Sequence, residues 1–165
     1  MVKFKELKDN ILKKENAYFF ILIVIIFLFD RISKLKVITN LQDSTYYVND
    51  YINLDLIWNI GVGFGFLSTT SIIIYNLITI LIASVILILF LVFITSKNLD
   101  KLVYAMIIGG AAGNLYDRLI YKAVPDFIDI HYNNFHWFTF NVADIFITVG
   151  IIIFITKGFL IKDKL

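Results

Sequence analysis

From Leu56 to Ser96 no residue carries a charge. A backbone running through that much apolar sequence has few ways to satisfy its N–H and C=O groups. In hydrocarbon only helices and closed barrels do so, and a run this long reads as helix laid in a bilayer. Composition agrees. Hydrophobic residues make up 59% of the 165-residue chain, above the roughly 45–50% of soluble domains. Only 17% are charged, and the mean hydropathy is +0.83. The chain has no cysteine, which excludes thiol nucleophiles, disulfides, thiolate metal sites and cysteine lipidation.

These features predict an α-helical integral membrane protein with four transmembrane helices. It forms one membrane-embedded domain over 1–165, with spans at about 17–37, 71–95, 102–121 and 138–157. The first apolar run, Ala17 to Phe29, continues through Ile32, Leu35, Val37 and Ile38, with Asp30, Arg31 and Lys34 set among them. Lysines followed by an apolar core also match a cleaved signal peptide, but no small-x-small site follows, so a retained helix is expected. Ile52, Leu54 and Leu56 alternate with Asn53 and Asp55, the period of a short strand with one apolar face. Lys97, Asp100 and Lys101 mark a polar loop, and Asp144 is the only charge of the fourth helix up to Thr156.

Lysines crowd three places: Lys3, Lys5, Lys8, Lys13 and Lys14; Lys97 and Lys101; Lys157, Lys162 and Lys164. Excess lysine marks cytoplasmic segments, so four spans put both termini inside. Asp30, Asp117, Asp126 and Asp144 then fall near one outer face. The net charge is only +2, and no nucleic-acid partner is expected.

Carboxylates in membrane-grade sequence are costly to hold and functional by default. Asn114, Asp117 and Arg118 are spaced i, i+3, i+4, and Asn141 and Asp144 repeat the first interval. On helices such residues share a face. Asp117 beside Arg118 reads as a local ion pair, and Asp30 with Lys34 as an i, i+4 pair. Gly109-x-x-x-Gly113 is a close-packing signature of membrane helices. His131 and His136, near Asp126 and Asp129, are candidate metal ligands. They lack the HExxH spacing and lie in an aromatic segment typical of a membrane interface, so no metal and no cofactor is expected. That leaves carboxylates as the chemistry. Two aspartates sharing one proton hydrolyse peptides without metal or covalent intermediate, the ionised one activating water and the protonated one donating to the carbonyl.

In this order the motifs resemble lipoprotein signal peptidase, the signal peptidase II family of bacterial membrane aspartyl endopeptidases. They are Asp30-x-x-x-Lys34, Asn59-x-Gly61-x-x-Phe64, Gly113-Asn114-x-x-Asp117-Arg118, Val124-x-Asp126-Phe127 and Phe140-Asn141-x-Ala143-Asp144. The resemblance implies that Asp126 and Asp144 are the catalytic dyad. Asp30, Lys34, Asn59, Gly61, Asn114, Asp117, Arg118, Val124, Asn141 and Ala143 would position substrate or support the site. It further implies a small β-sheet on the outer membrane face and a diacylated prolipoprotein substrate, cut before its lipidated cysteine. Membrane lipid would surround a monomer in the bacterial cytoplasmic membrane. Three positions depart from the pattern: Ile60 stands where the family has Thr, Lys122 where it has Gly, and Pro125 where it has no proline. An ion-coupled transporter is the rival reading, because intramembrane Asp and Arg also build relays. It is disfavoured by the absence of an inverted repeat and by acids at one face rather than the midplane. A small scaffold subunit would not need five polar motifs at one depth.

Overall fold

The computed structural model describes residues 14–42, 44–61, 71–133 and 135–162. Phe64, Asn134, Lys164 and the lysines before Lys14 lie outside the described residues. Among the described residues four helices and four strands follow in the order α1 (Lys14–Asn40), β1 (Tyr46–Asn49), β2 (Ile52–Asn59), α2 (Ile72–Thr95), α3 (Asn98–Tyr121), β3 (Val124–Tyr132), β4 (Phe135–Phe140) and α4 (Val142–Lys162).

Two helices, α2 and Val142–Phe159 of α4, are long and apolar enough to cross a membrane. The other two carry charge, but they carry it inward. On α1 the buried positions include Asn16, Asp30, Arg31 and Lys34, while Tyr18, Ile21, Ile25, Leu28, Ile32 and Leu35 are exposed. On α3, Lys101, Asp117 and Arg118 are buried, and Leu119 and Ile120 are exposed. Charge inside and apolar surface outside reverses the pattern of a water-soluble helix.

α3 touches α1, α2 and α4. Small residues permit the approach: a Cβ on Gly109 would lie 2.9 Å from Ile26 Cβ, and one on Gly113 would collide with Asp30 Oδ2. The Gly109-x-x-x-Gly113 pair is thus the seat of α1 on α3. Ile23, Phe93, Ile94, Ala105 and Ile108 pack the end of the bundle near the α2–α3 turn. Val37, Phe127 and Val142 join α1, β3 and α4 at the other end.

The sheet has the order β1-β2-β3-β4, antiparallel throughout. It consists of two hairpins separated in sequence by α2 and α3 and zipped along β2 and β3. That seam sets Asn59 opposite Val124 and Ile57 opposite Asp126. The alternation read at 52–56 is the first part of β2. Pro125 faces Trp58 of β2, and β4 begins to pair with β3 only at Ile128. The missing N–H therefore falls where β3 has one neighbour, the position a strand proline tolerates.

The starts of α3 and α4 differ from the sequence reading by four residues each. Residues 98–101 are the first turn of α3 rather than a loop; Asp100 there pairs with Lys157 of α4 and suits the positive end of the helix dipole. Residues 138–140 close β4, because Phe135–Phe140 is an aromatic, β-favouring run and Asn141 sets the start of α4. Lys122, the C-cap of α3, has φ 58° and ψ 21°, the left-handed conformation that glycine adopts without penalty. Lys122→Gly should therefore raise stability by about 1 kcal/mol, read as an upward shift of the thermal midpoint in detergent. An unchanged or lowered midpoint would contradict this account of the cap.

Candidate active site

The start of α4 is a reciprocal cap. Asn141 Oδ1 accepts from the Asp144 backbone N–H, and Asp144 Oδ2 accepts from the Asn141 N–H, both at 3.2 Å. This is a capping box with Asn and Asp in place of Ser and Glu. Asp30 of α1 supplies a third acceptor, its Oδ1 taking the Ala143 N–H at 2.9 Å. Orphan donors at the helix start are thereby satisfied, and Asp144 is fixed at the edge of the bundle.

Asp126 enters from β3. Its two oxygens accept from Asn141 Nδ2 at 2.6 Å and from Asn59 Nδ2 at 2.8 Å. Asp144 Oδ1 accepts from Asn114 Nδ2 at 2.8 Å. Asn141 thus touches both aspartates, one through its amide nitrogen and the other through the cap.

Each of the three asparagines is oriented by a group that can only donate. Asn59 Oδ1 receives the Gly61 N–H at 2.8 Å. Asn141 Oδ1 receives the Asp144 N–H. Asn114 Oδ1 receives the Lys34 ammonium at 2.8 Å. With the amide oxygen committed, the NH2 end must face a carboxylate. Lys34 is the hub behind this arrangement. Its side chain is 0% exposed, and its Nζ lies 2.7 Å from both Asp30 Oδ2 and Asp117 Oδ2.

The expected pairing of Asp117 with Arg118 does not occur. Consecutive helical residues point about 100° apart, and Asp117 turns instead to Arg31 and Lys34 of α1. Arg31 was not singled out from sequence, yet it holds Asp117, lies 4.7 Å from the Tyr116 ring centroid and also faces Tyr121. Two tyrosines five apart on α3 were the available signal. Arg118 is buried, and its carbonyl accepts from Tyr75. Val124 is buried and contributes backbone pairing to Asn59.

Burial, and then the charge of Asp144, push the Asp126 carboxyl up to about 6, against the hydrogen bonds from Asn59 and Asn141. A carboxyl held protonated so far above its ordinary range can donate near neutrality. Beside Asp144 opens an apolar groove of about 280 Å³, lined by Ile130, Phe138, Phe140, Ile145, Thr148 and Val149.

The sequence profile of the signal peptidase (SPase) II family matches residues 22–160. The chain belongs to the signal peptidase II family. A lipoprotein signal peptidase of Pelagibacter ubique is 42% identical over 94% of this chain and 96% of its own length. One from Francisella tularensis subsp. novicida is 33% identical over 94% and 99%. Two solved structures, described as bacterial membrane enzymes studied by the in meso method, superpose with TM-scores of 0.73 and 0.69 at 28% and 25% identity. They cover 90% and 86% of this chain, and 90% and 92% of their own. Within the signal peptidase II family, then, this chain gathers Asp126 and Asp144 around Asn141. Among the described residues the one group with the makeup of a metal-ligand set, Asp129, His131 and His136, contains neither aspartate.

Proposed function

We propose that this chain is a membrane aspartic endopeptidase. It removes the signal peptide from diacylglyceryl-modified prolipoproteins, cutting on the N-terminal side of the lipidated cysteine. The observation that carries this reading is the sharing of Asn141 between two carboxylates, buried Asp126 and half-buried Asp144, beside an apolar groove. Family membership supplies the substrate class; the geometry supports the chemistry.

In the proposed mechanism Asp126 holds the shared proton and Asp144 is ionised. Asp144 takes a proton from water as its oxygen attacks the scissile carbonyl carbon, while Asp126 gives its proton to the carbonyl oxygen. The tetrahedral diol then collapses. The C–N bond breaks, the amine nitrogen takes the proton from Asp144, and Asp126 recovers one from the diol hydroxyl. The outward NH2 groups of Asn59, Asn114 and Asn141 hold both carboxyls at fixed angles, which is pre-organisation rather than proton transfer. The groove of Ile130, Phe138, Ile145 and Val149 suits the apolar part of a signal peptide or an acyl chain. Purified protein should shorten a diacylated prolipoprotein on a gel, and the cleavage should survive exhaustive EDTA treatment. Activity lost to EDTA and restored by Zn²⁺ or Mn²⁺, in a His136→Ala variant as well as in wild type, would transfer the chemistry to a metal.

Four spans rather than two are supported by the inverted surfaces of α1 and α3. Exposed apolar residues run from Tyr18 to Leu35 of α1, about 26 Å at 1.5 Å per residue and close to the hydrocarbon thickness. The lysine pattern supports cytoplasmic termini and a sheet on the outer side. In this cysteine-free chain, Tyr46→Cys and Trp137→Cys, both at exposed positions, should react with an impermeant thiol reagent applied from outside. Lys97→Cys should react only after the inner face is opened. The reverse pattern would overturn the orientation.

A further inference from the structure

Asp129, His131 and His136 offer one ligand atom each, all within 4.8 Å of one another. Asp129 and His131 are two apart on β3 and so share a face, and His136 stands opposite His131 on β4. A register shift between Ile130 and His131 draws the second imidazole toward the first; the rings lie 5.3 Å apart and nearly parallel. Asp129 Oδ2 is 2.8 Å from His136 Nδ1 and 3.5 Å from His131 Nδ1. In a tetrahedral zinc site with bonds of about 2.0–2.1 Å, neighbouring ligand atoms are roughly 3.3 Å apart. The observed distances bracket that value.

Two unsatisfied atoms sharpen the case. His131 is 9% exposed along its side chain, and its Nδ1 is buried without a hydrogen-bond partner. Asn53, directly across from Asp129 on β2, has a buried Oδ1 in the same condition. Buried orphans are uncommon and call for a partner. His131 Nδ1 lies 3.5 Å from the Asp129 carboxylate and Asn53 is the register partner of Asp129 on β2, and each orphan atom offers a lone pair. Nitrogen from two imidazoles with carboxylate and amide oxygen is a donor set for a borderline divalent cation.

We propose that Asp129, His131 and His136, with Asn53 as the adjacent oxygen donor, form a Zn²⁺ site that clamps the β3–β4 hairpin. The site is separate from the hydrolytic one. Asp129 lies about 10 Å along β3 from Asp126, and a three-residue offset on a pleated strand points to the opposite face. Zn²⁺ binds the Nδ1 atoms of both rings and an oxygen of Asp129. In the free protein His136 Nδ1 donates its proton to that carboxylate, which can only accept. For a neutral ring, the proton moves through water to the exposed Nε2 as the metal takes Nδ1, so none is released. The hairpin so pinned carries Asp126 at one end and runs into Asn141 at the other. The clamp therefore steadies the elements that position the carboxylates.

The chain is well suited to a test, because it contains two histidines and no cysteine. Untagged full-length protein in detergent should bind one equivalent of Zn²⁺ in competition with a chromogenic chelator. It should also give the intense visible absorption of four-coordinate Co²⁺ when Co²⁺ is supplied. His136 is 61% exposed, so His136→Ala should fold normally and keep the metal-free thermal midpoint of wild type. It should weaken Zn²⁺ binding by more than the roughly 10–100-fold lost when an outer partner is removed, and it should abolish the midpoint rise that Zn²⁺ gives wild type. His131→Gln should behave likewise. Absence of stoichiometric binding, or binding that survives both substitutions, would refute the site.

Discussion

Asp126→Asn and Asp144→Asn should each reduce cleavage of a diacylated prolipoprotein by about 10²–10⁴-fold, the usual effect of removing a general acid or base. Among the described residues neither makes a salt bridge, so neither change breaks a direct ion pair. Each carboxylate does accept two hydrogen bonds, from Asn59 and Asn141 for Asp126 and from Asn114 and the Asn141 N–H for Asp144. An asparagine satisfies one of the two and turns an NH2 toward the other donor, costing about 1–3 kcal/mol. Turnover must therefore be normalised to folded protein, and alanine variants serve as the second test. In the proposed mechanism the two groups share one proton, so the double substitution should be little worse than either single one. Near-normal turnover in folded Asp126→Asn or Asp144→Asn would remove that residue from the dyad.

The raised Asp126 pKa gives a related signature. Below about 6 Asp126 retains its proton, and activity that depends on the shared proton is lost as pH rises through the folded-state value. The hydrogen bond from Asn59 favours the ionised form and so lowers that value. Asn59→Leu should move the alkaline limb of kcat/KM to higher pH. A limb that stays in place or moves down would mean that Asp126 is not the group observed.

Helix positions were legible in the sequence because apolar runs and lysine clusters are strong, local signals. The starts of α3 and α4 were less so. At Phe138 an apolar aromatic run serves strand and helix equally well, and the decision rests on the Asn141–Asp144 cap, three residues further on. Individual site residues were readable as polar exceptions in apolar sequence. Their pairing was not: Asp117 pairs across α1 and α3, a relation that depends on the glycine-permitted approach of the helices. The sequence does show Arg31 next to Asp30, but nothing in it says that the guanidinium reaches Asp117 over Tyr116. His131 and His136 were legible as candidate ligands and set aside for want of HExxH spacing; the register shift that brings their rings together is not written in the sequence.

Lys34→Met and Asp117→Asn should each cost about 3–5 kcal/mol of stability, the penalty for breaking a buried ion pair from one side, but they should differ in what survives. Arg31 and Lys34 balance Asp30 and Asp117 in a cluster of which Lys34, Asp30 and Asp117 are wholly buried. Asp117→Asn leaves two cations facing one carboxylate. It leaves the Lys34–Asn114 bond in place, so Asn114 still presents its NH2 to Asp144. Folded Asp117→Asn should accordingly retain kcat within a few-fold while its thermal midpoint and abundance fall. Lys34→Met removes the donor that commits the Asn114 oxygen, freeing the amide to turn its acceptor end toward Asp144. Its folded fraction should lose turnover as well as stability. Lys34→Met combined with Asp117→Asn restores one cation to one anion, Arg31 with Asp30, and should be less destabilised than the sum of the single changes. Three thermal midpoints and three turnover numbers, each corrected for folded protein, decide the matter. If Asp117→Asn were fully folded and inactive while Asp126→Asn still turned over, Asp117 rather than Asp126 would be the partner of Asp144.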